Sequence, residues 1–342
     1  MAKILVTGGC GYIGSHTIID LIENNFEVVS LDSNIRSDAR MLQAVEKITG
    51  QKVLNYAVDI TDLNALKEVF EQQPDIVGII HFAAYKSVPE SVAQPLSYYQ
   101  NNITGLLNML QCVKDFNLPN FIFSSSCSVY GNASELPVKE TTPLERAESP
   151  YARTKQMCEA IIQDFSAANS NIKSILLRYF NPGGAHHSGI IGEIPQPGAY
   201  NVIPILIDAL EGKRAQFAVT GNDHDTRDGS CIRDYIHVMD VGNAHTKSLQ
   251  YLLSNKNELN CEIFNVGIGQ GVSVLELIEA FDRATGRSLD YKIGPRRDGD
   301  VSSIYADYGK AKKMLGWTPK YDVNDILSTA WKWYQSGYKL SD

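Results

Sequence analysis

Long apolar runs are missing from this chain. None approaches the roughly 20 residues that a membrane-spanning helix needs. Its six cysteines stand apart, at positions 10, 112, 127, 158, 231 and 261. No CxxC or Cys/His spacing for zinc occurs among them, and no dense disulfide framework, so they read as thiols of a reducing compartment. His186-His187 has no third ligand at a suitable spacing, and no metal is expected. Positive charge is in deficit: 31 Lys+Arg against 39 Asp+Glu leave a formal charge of −8 and a pI near 5.4. That balance argues against nucleic acid as a partner, although a few buried arginines can still hold a small anion. Internal repeats and low-complexity tracts are lacking. Met1-Ala2-Lys3-Ile4-Leu5-Val6 has neither the charged nor the apolar region of a signal peptide. A cytoplasmic protein is therefore expected.

What is present is an ordinary globular composition, 44% hydrophobic over 342 residues. That length suggests one large domain with a smaller lobe. Ile4-Leu5-Val6-Thr7 reads as a buried strand, followed by a helix bearing Ile13, Thr17, Ile18, Leu21 and Ile22. Glu27–Asp32 is a second strand, and further strands are expected at 53–58, 75–81, 119–125 and 172–179. Helices are expected near 38–49, 62–73, 95–116 and 151–168. Continuous apolar strands alternating with helices predict an α/β fold, a doubly wound parallel sheet of Rossmann type, over residues 1–180. Residues 181–342 then form a smaller α/β lobe, with some segments returning to the first domain. Helices are expected there near 201–212, 240–254, 273–285 and 322–336, with strands at 216–219 and 261–266. Long Gly/Pro/Asn/Asp-rich loops at 181–200 and 220–234 are binding-loop candidates.

Thr7-Gly8-Gly9-Cys10-Gly11-Tyr12-Ile13-Gly14 sits between the first strand and first helix. Glycines there allow a tight turn and a close approach to a pyrophosphate, and the helix N-terminus supplies amide donors. The spacing Gly8, Gly11, Gly14 is GxxGxxG, and Asp32 ends the second strand 18 residues after Gly14. A carboxylate at that point accepts from the adenosine ribose and repels a 2′-phosphate, so NAD is favoured over NADP. Arg36 could offset that preference, depending on its direction.

Tyr151 and Lys155 lie four apart on a predicted helix, hence on one face. A phenol serving as base near pH 7 needs its pKa lowered by roughly 3 units, about 4 kcal/mol. An ammonium and a positive nicotinamide ring beside it would supply that. Tyr308 and Lys312 repeat the spacing, but in the polar 310–313 run, and read as a solvated helix face. Tyr151 instead follows the strand ending Ser124-Ser125-Ser126, on the side where such sheets bind ligands. Ser126 is the hydroxyl able to join the network around a substrate hydroxyl, while Ser124 and Ser125 suit a structural role at the strand end.

These residues, with His81-Phe82-Ala83-Ala84-Tyr85-Lys86, Ser124–Gly131, Arg178–Pro182, Arg233–Val238 and Pro295–Asp300, resemble the extended short-chain dehydrogenase/reductase family, most closely its UDP-hexose 4-epimerase branch. The likeness runs nearly end to end. It implies that Tyr12, Ile13, Asp32, Asp59, Ile60, Phe82, Ala83, Lys86, Asn101 and Phe180 line the NAD site together with Gly8, Gly11, Gly14, Tyr151 and Lys155. It implies that Lys86, Ser126, Tyr151, Asn181, Asn201, Arg233, Arg297 and Asp300 surround a UDP-sugar. Arginine suits a diphosphate because its charge is permanent and its donors are planar. The implied reaction interconverts UDP-galactose and UDP-glucose. The sugar is oxidised at C4, the keto sugar turns over, and reduction follows on the other face, with no net redox.

Relatives that dehydrate nucleotide sugars carry acidic residues just before the Val-Tyr-Gly of the serine strand, where this chain has Cys127 and Ser128. The general acid for water loss is thus missing. The tyrosine motif reads YARTK where YxKSK is usual in the branch. A gate beside the sugar 2-substituent falls at Ile304, intermediate in size, which leaves acceptance of UDP-N-acetylhexosamines open. A non-catalytic NAD(H) sensor on the same fold is the competing class, although such proteins tend to lose the tyrosine–lysine pair. The resemblance also implies a homodimer formed through the helices near 95–116 and 151–168. Their apolar stripes (Leu96, Tyr99, Ile103, Leu106, Leu110; Cys158, Ile161, Ile162, Phe165) could equally face their own sheet.

Overall fold

The computed structural model describes residues 1–194, 201–214, 216–296 and 301–337. Six strands of the first half are β1 (Lys3–Thr7), β2 (Glu27–Leu31), β3 (Leu54–Tyr56), β4 (Ile76–His81), β5 (Asn120–Ser124) and β6 (Lys173–Tyr179). They form one parallel sheet with Cys261–Val266, in the order Cys261–Val266, β6, β5, β4, β1, β2, β3. The near-continuous Ile, Leu, Val and Phe content of β1, β4, β5 and β6 follows from burial on both faces.

Seven helices lie in this half: α1 (Tyr12–Glu23), α2 (Arg40–Thr49), α3 (Leu63–Gln72), α4 (Val88–Ala93), α5 (Pro95–Tyr99), α6 (Gly105–Asp115) and α7 (Pro150–Ala168). Their ends follow local chemistry. Asp62 caps α3 by accepting from the amides of Asn64 and Ala65 at 3.1 Å. Ser149 accepts from the Ala152 amide at 3.2 Å and Pro150 opens α7, which fixes where Tyr151 stands. One core packs α1, α2 and the helix Val238–Leu253 on one face of the sheet, and a second packs α3, α6 and α7 on the other.

A single helix expected over 95–116 is instead α5, a π-helical turn Gln100–Thr104, and α6. Asn102 turns inward there: its Nδ2 donates to the Tyr85 carbonyl (3.1 Å) and to Thr154 Oγ1 (3.0 Å), and its Oδ1 accepts from the Tyr85 amide (2.8 Å). The extra residue in the turn accommodates those bonds. At the next position a Cβ on Gly105 would lie 2.2 Å from Ile60 Cδ1, so glycine lets the helix pass.

The loops of the second half hold short strands that composition hides. Asn181–Gly183 pairs in parallel with Tyr235–His237, and Ile232–Arg233 lies between Val272–Ser273 and Ser303–Ile304. Helices Val202–Leu210, Val274–Thr285 and Val323–Gln335 enclose a separate core around Leu206, Leu277, Phe281, Ile326 and Leu327. The Tyr308/Lys312 pair is only partly the solvated face expected. Lys312 is exposed, but Tyr308 sets its ring edge-on to Trp317 at 6.0 Å, and Lys310 Nζ donates to the Ile263 carbonyl at 2.8 Å.

Arg178 of β6 and Glu159 of α7 form a buried ion pair, Nη2 to Oε2 at 2.6 Å and Nε to Oε1 at 3.0 Å, with Ser125 Oγ donating to the same carboxylate at 2.5 Å. Their side chains are 3% and 1% exposed. Removing one member strands a charge in the interior, so Arg178→Met should cost about 3–5 kcal/mol. Replacing both Arg178 and Glu159 by methionine should cost less. Chemical denaturation of the two variants reads the difference.

Candidate active site

In the parallel sheet the ends of β1, β2, β4, β5 and β6, which Gly8, Asp32, Phe82, Ser126 and Phe180 follow, lie at one edge. The chain leaves β1 towards β2 in one direction and reaches β4 in the other, so a crevice opens between β1 and β4. The glycine turn sits over it. Gly8 has φ +69°, and a Cβ there would lie 2.9 Å from the Ala83 amide nitrogen. A Cβ on Gly14 would lie 2.2 Å from the Gly8 carbonyl oxygen. Gly11 caps α1 without a side-chain bond, and the first turn of α1 carries no acidic residue. Its leading amides and positive dipole are therefore left for an anion.

Asp32 is buried just past β2. Its carboxylate accepts from the amides of Cys10 and Asn34 at 3.0 Å and from Ser37 Oγ at 2.6 Å, which orders the rim of the crevice. Arg36 turns away from it. Its guanidinium lies 3.6 Å from the centre of the Tyr85 ring and makes a bidentate pair with Glu90 at 2.5 and 2.9 Å. That arginine is committed elsewhere, so the carboxylate's preference against a 2′-phosphate stands. The donor and acceptor set fits a dinucleotide of the NAD type.

Other residues expected around the cofactor fall into different environments. Phe82 packs 4.5 Å from the His245 ring, and the Phe82 and Ala83 amides donate to Thr7 O and Thr7 Oγ1 at 3.1 and 3.3 Å. Phe180 is buried, with its amide donating to the Val266 carbonyl at 3.2 Å. Ile60 is buried against Gly105, and Asn101 stands on the π-helical turn, donating to Asn102 Oδ1 at 3.0 Å. Asp59 accepts from Thr61 N and Oγ1 at 2.8 Å. Ile13 is half-buried beside the first core. The Tyr12 side chain reaches away from the glycine turn and donates from its hydroxyl to the Gly184 carbonyl at 2.6 Å.

Tyr151, Lys155 and Ser126 are all buried at the ends of α7 and β5. Lys155 Nζ donates to the Ser124 carbonyl at 2.7 Å and lies 4.5 Å from the centre of the Phe123 ring. Ser126 accepts from the Ser128 amide at 3.2 Å as the cap of the 3₁₀ turn Cys127–Tyr130, and its hydroxyl lies close enough to Tyr151 to act on the phenol. Burial raises the Tyr151 phenol well above its ordinary value, neighbouring Tyr179 adds to the rise, and Ser126 opposes it. Burial lowers the Lys155 ammonium to about 8 against the pull of Cys158 and Glu159. The pair is thus held towards its uncharged forms, and a phenolate forms there only beside a further positive charge. Ser124 and Ser125 are structural as expected, bonding the Tyr179 hydroxyl (3.1 Å) and Glu159.

A cavity of about 480 Å³ lies in the second half, lined by Asn181, Asn201, Arg233, Gln216, Phe217, Tyr235 and others. Asn181 Oδ1 is buried there without a hydrogen-bond partner, an acceptor held open for a ligand. Arg233 is half-buried on the strand Ile232–Arg233. Lys86 lies across the opening, exposed, 3.5 Å from Glu193 Oε1, and Asn201 Nδ2 donates to the same oxygen. Arg297 and Asp300 fall outside the described residues. Glu193, which joins the lobe to the sheet through Lys86, was not anticipated, because an isolated acid in a Gly/Pro-rich loop carries no periodic signal. Gln216 and Arg214 on the cavity wall were missed for the same reason.

A glycine turn on a helix N-terminus, a buried carboxylate just past the second strand and a buried Tyr–Lys–Ser centre at the sheet's strand ends define an enzyme of the short-chain dehydrogenase/reductase class. The family model described as GDP-mannose 4,6 dehydratase matches residues 5–330. The UDP-glucose 4-epimerase of Bacillus subtilis is 42% identical over 342 residues, 99% of either chain. A UDP-glucose 4-epimerase structure from Stenotrophomonas maltophila, with bound NAD and formylated UDP-arabinopyranose, superposes with a TM-score of 0.95 at 39% identity over all of both chains. That from Bifidobacterium longum, in complex with NAD+ and UDP, gives 0.93 at 39% identity over 98% of each. The chain belongs to the UDP-glucose 4-epimerase family.

Gly14→Ala places a methyl group where the Gly8 carbonyl stands. The purified variant should therefore release far less NAD on acid denaturation than the unsubstituted protein, as read by chromatography of the supernatant.

Proposed function

We infer that the protein interconverts UDP-galactose and UDP-glucose, with NAD held in the crevice between β1 and β4. The observation that carries this reading is a buried Tyr151, Ser126 and Lys155 at the strand ends of the sheet, in a chain that also holds a cavity lined by Arg233 and by Asn181, whose side-chain oxygen is unpartnered. The glycine turn and leading amides of α1 hold the cofactor pyrophosphate, Asp32 the adenosine ribose, and Phe82, Ala83, Lys86, Asn101 and Phe180 line its course with Tyr12, Ile13, Asp59 and Ile60. An oxidised nicotinamide bound there would supply positive charge and a reversible hydride acceptor for sugar C4.

Tyr151 takes the proton of the 4-hydroxyl, with Ser126 sharing the hydrogen bond, and gives it back in the second half-reaction. Lys155 favours the phenolate by its charge. Arg233 and Arg297 grip the nucleotide diphosphate, and Asn181, Asn201 and Asp300 surround the UDP-sugar with them. The sugar is free to turn about that anchor between the two hydride transfers. Cys127 and Ser128 provide no carboxylic acid to expel water, which separates the reading from the dehydratase whose description the family model bears. Ile304 pairs in register with Arg233 and is buried beside Val129, Tyr130 and Phe180, so the gate borders the substrate wall.

Purified protein with no added NAD should convert UDP-galactose to UDP-glucose, and Tyr151→Phe should lower kcat by about 10²–10⁴-fold. Folded, NAD-loaded protein that converts nothing would overturn the assignment and leave a sensor. The same assay with UDP-N-acetylgalactosamine shows which side of the gate Ile304 falls on.

The working form in this reading is a cytoplasmic homodimer. Leu106, Leu110, Cys158 and Ile162 of the expected stripes face their own sheet, whereas Leu96, Leu107 and Met157 are exposed on α5, α6 and α7. Those exposed side chains supply an apolar surface for a second copy. No helix among the described residues is long and apolar enough to cross a membrane. Light scattering should give a mass near twice 37.8 kDa at micromolar concentration, and a mass of one chain would sink the dimer.

A further inference from the structure

The six thiols are not chemically equivalent. Burial pushes Cys10, Cys127, Cys158 and Cys261 up to about 12 and Cys112 up to about 11. Held protonated, those five are poor nucleophiles. Cys231 has a different neighbour. Its Sγ lies 3.3 Å from His224 Nε2, and that nitrogen is also 3.2 Å from the Thr220 carbonyl oxygen. The other ring nitrogen, Nδ1, lies 3.1 Å from Ser302 Oγ. A carbonyl oxygen only accepts, so the Thr220 contact places a proton on Nε2. The sulfur then shares that N–H with the Thr220 carbonyl, and a thiolate accepts such a shared bond better than a thiol. The ring is fixed in place: both side chains are buried, and even a Cβ on Gly221 would come within 2.9 Å of Nε2.

A second observation gives this pair a consequence. Cys231 lines the cavity of about 480 Å³, beside Arg233, Gln216 and Tyr235. A small reagent that enters the cavity comes up against Cys231, and whatever becomes attached there occupies space at the cavity wall.

We propose that Cys231 is a modification site for small disulfides, and that the adduct shuts the cavity against the UDP-sugar. The blocking half rests on the reading of that cavity as the nucleotide site; the modification itself does not. The sulfur of Cys231 attacks one sulfur of the reagent, the reagent's S–S bond breaks, and a new S–S bond joins it to the protein. The departing thiolate takes a proton and leaves as a thiol. Cys231 is oxidised and half of the reagent is reduced, so electrons balance, and excess thiol reverses the exchange.

The test uses the purified, NAD-loaded protein with 2-hydroxyethyl disulfide, followed by peptide mass mapping of all six cysteines over time. The adduct should form first on Cys231 and UDP should slow it. Epimerisation should fall in step with its occupancy, and dithiothreitol should restore it. His224→Gln should slow labelling of Cys231 about tenfold, since it removes the donor that favours thiolate. In Cys231→Ser the reagent should no longer lower that variant's own activity. Earlier labelling of Cys127 or any other cysteine overturns the site. Unchanged labelling in folded His224→Gln overturns the activating role of the imidazole. Labelling of Cys231 that UDP does not slow, with UDP binding retained by the adduct, overturns the blocking half alone.

Discussion

The interior ion pair between Glu159 and Arg178 sits where three separate stretches of chain must be held in register. Glu159 is one turn beyond Lys155 on the helix that carries the tyrosine–lysine pair. Ser125, bonded to the same carboxylate, directly precedes Ser126, and Arg178 lies two residues before Phe180. Arg178 also stands 4.8 Å from the centre of the Tyr130 ring and donates to the Glu140 carbonyl at 3.4 Å. An ion pair so deep in the protein contributes little net stability compared with apolar residues of equal volume. Its worth is directional. Helix, serine strand and the start of the substrate wall are locked by a bidentate geometry that a hydrophobic contact would let slide.

The two sides of the site are built differently as a result. On the cofactor side the groups hang from strand ends and from a helix N-terminus, all anchored in the main cores. On the other side Asn181 and Arg233 come from short strands and Asn201 from a helix cap, and Asp234, next to Arg233, accepts the Asn181 amide at its carbonyl and ties further loops to this region. Its carboxylate accepts from the amides of Ile268, Gly269 and Ala306 at 2.8 to 3.0 Å, and burial raises it to about 6 despite those bonds. A site with one rigid half and one half assembled from loops suits a reaction in which the nucleotide stays fixed and the sugar turns.

The alternation of buried strands and amphipathic helices, the glycine turn and Asp32 were legible because each leaves a local signature: continuous burial, helical spacing, a turn that a Cβ would fill. The direction of Arg36 was not, because it depends on Glu90, far along the chain, and on the face of Tyr85. The break in the helix at 100–104 was hidden for a similar reason, since Asn102 finds its partners at Tyr85 and Thr154. The short strands around 181–183 and 232–237 escaped because Gly, Pro and Asn dominate their composition, while their pairing is decided between segments roughly fifty residues apart in sequence. Glu193 and the His224–Cys231 contact belong to the same class of long-range juxtaposition.

Lys155 has one more consequence. A buried ammonium brought down to about 8 and a phenol pushed the other way mark a centre that the folded chain tolerates rather than favours. A dinucleotide that binds the native state and not the unfolded one adds its occupancy directly to folding free energy by mass action and offsets the cost of that centre. Resistance to unfolding and to proteolysis in the cell is therefore tied to the supply of the dinucleotide. A fall in that supply would be felt as lost protein as well as lost turnover.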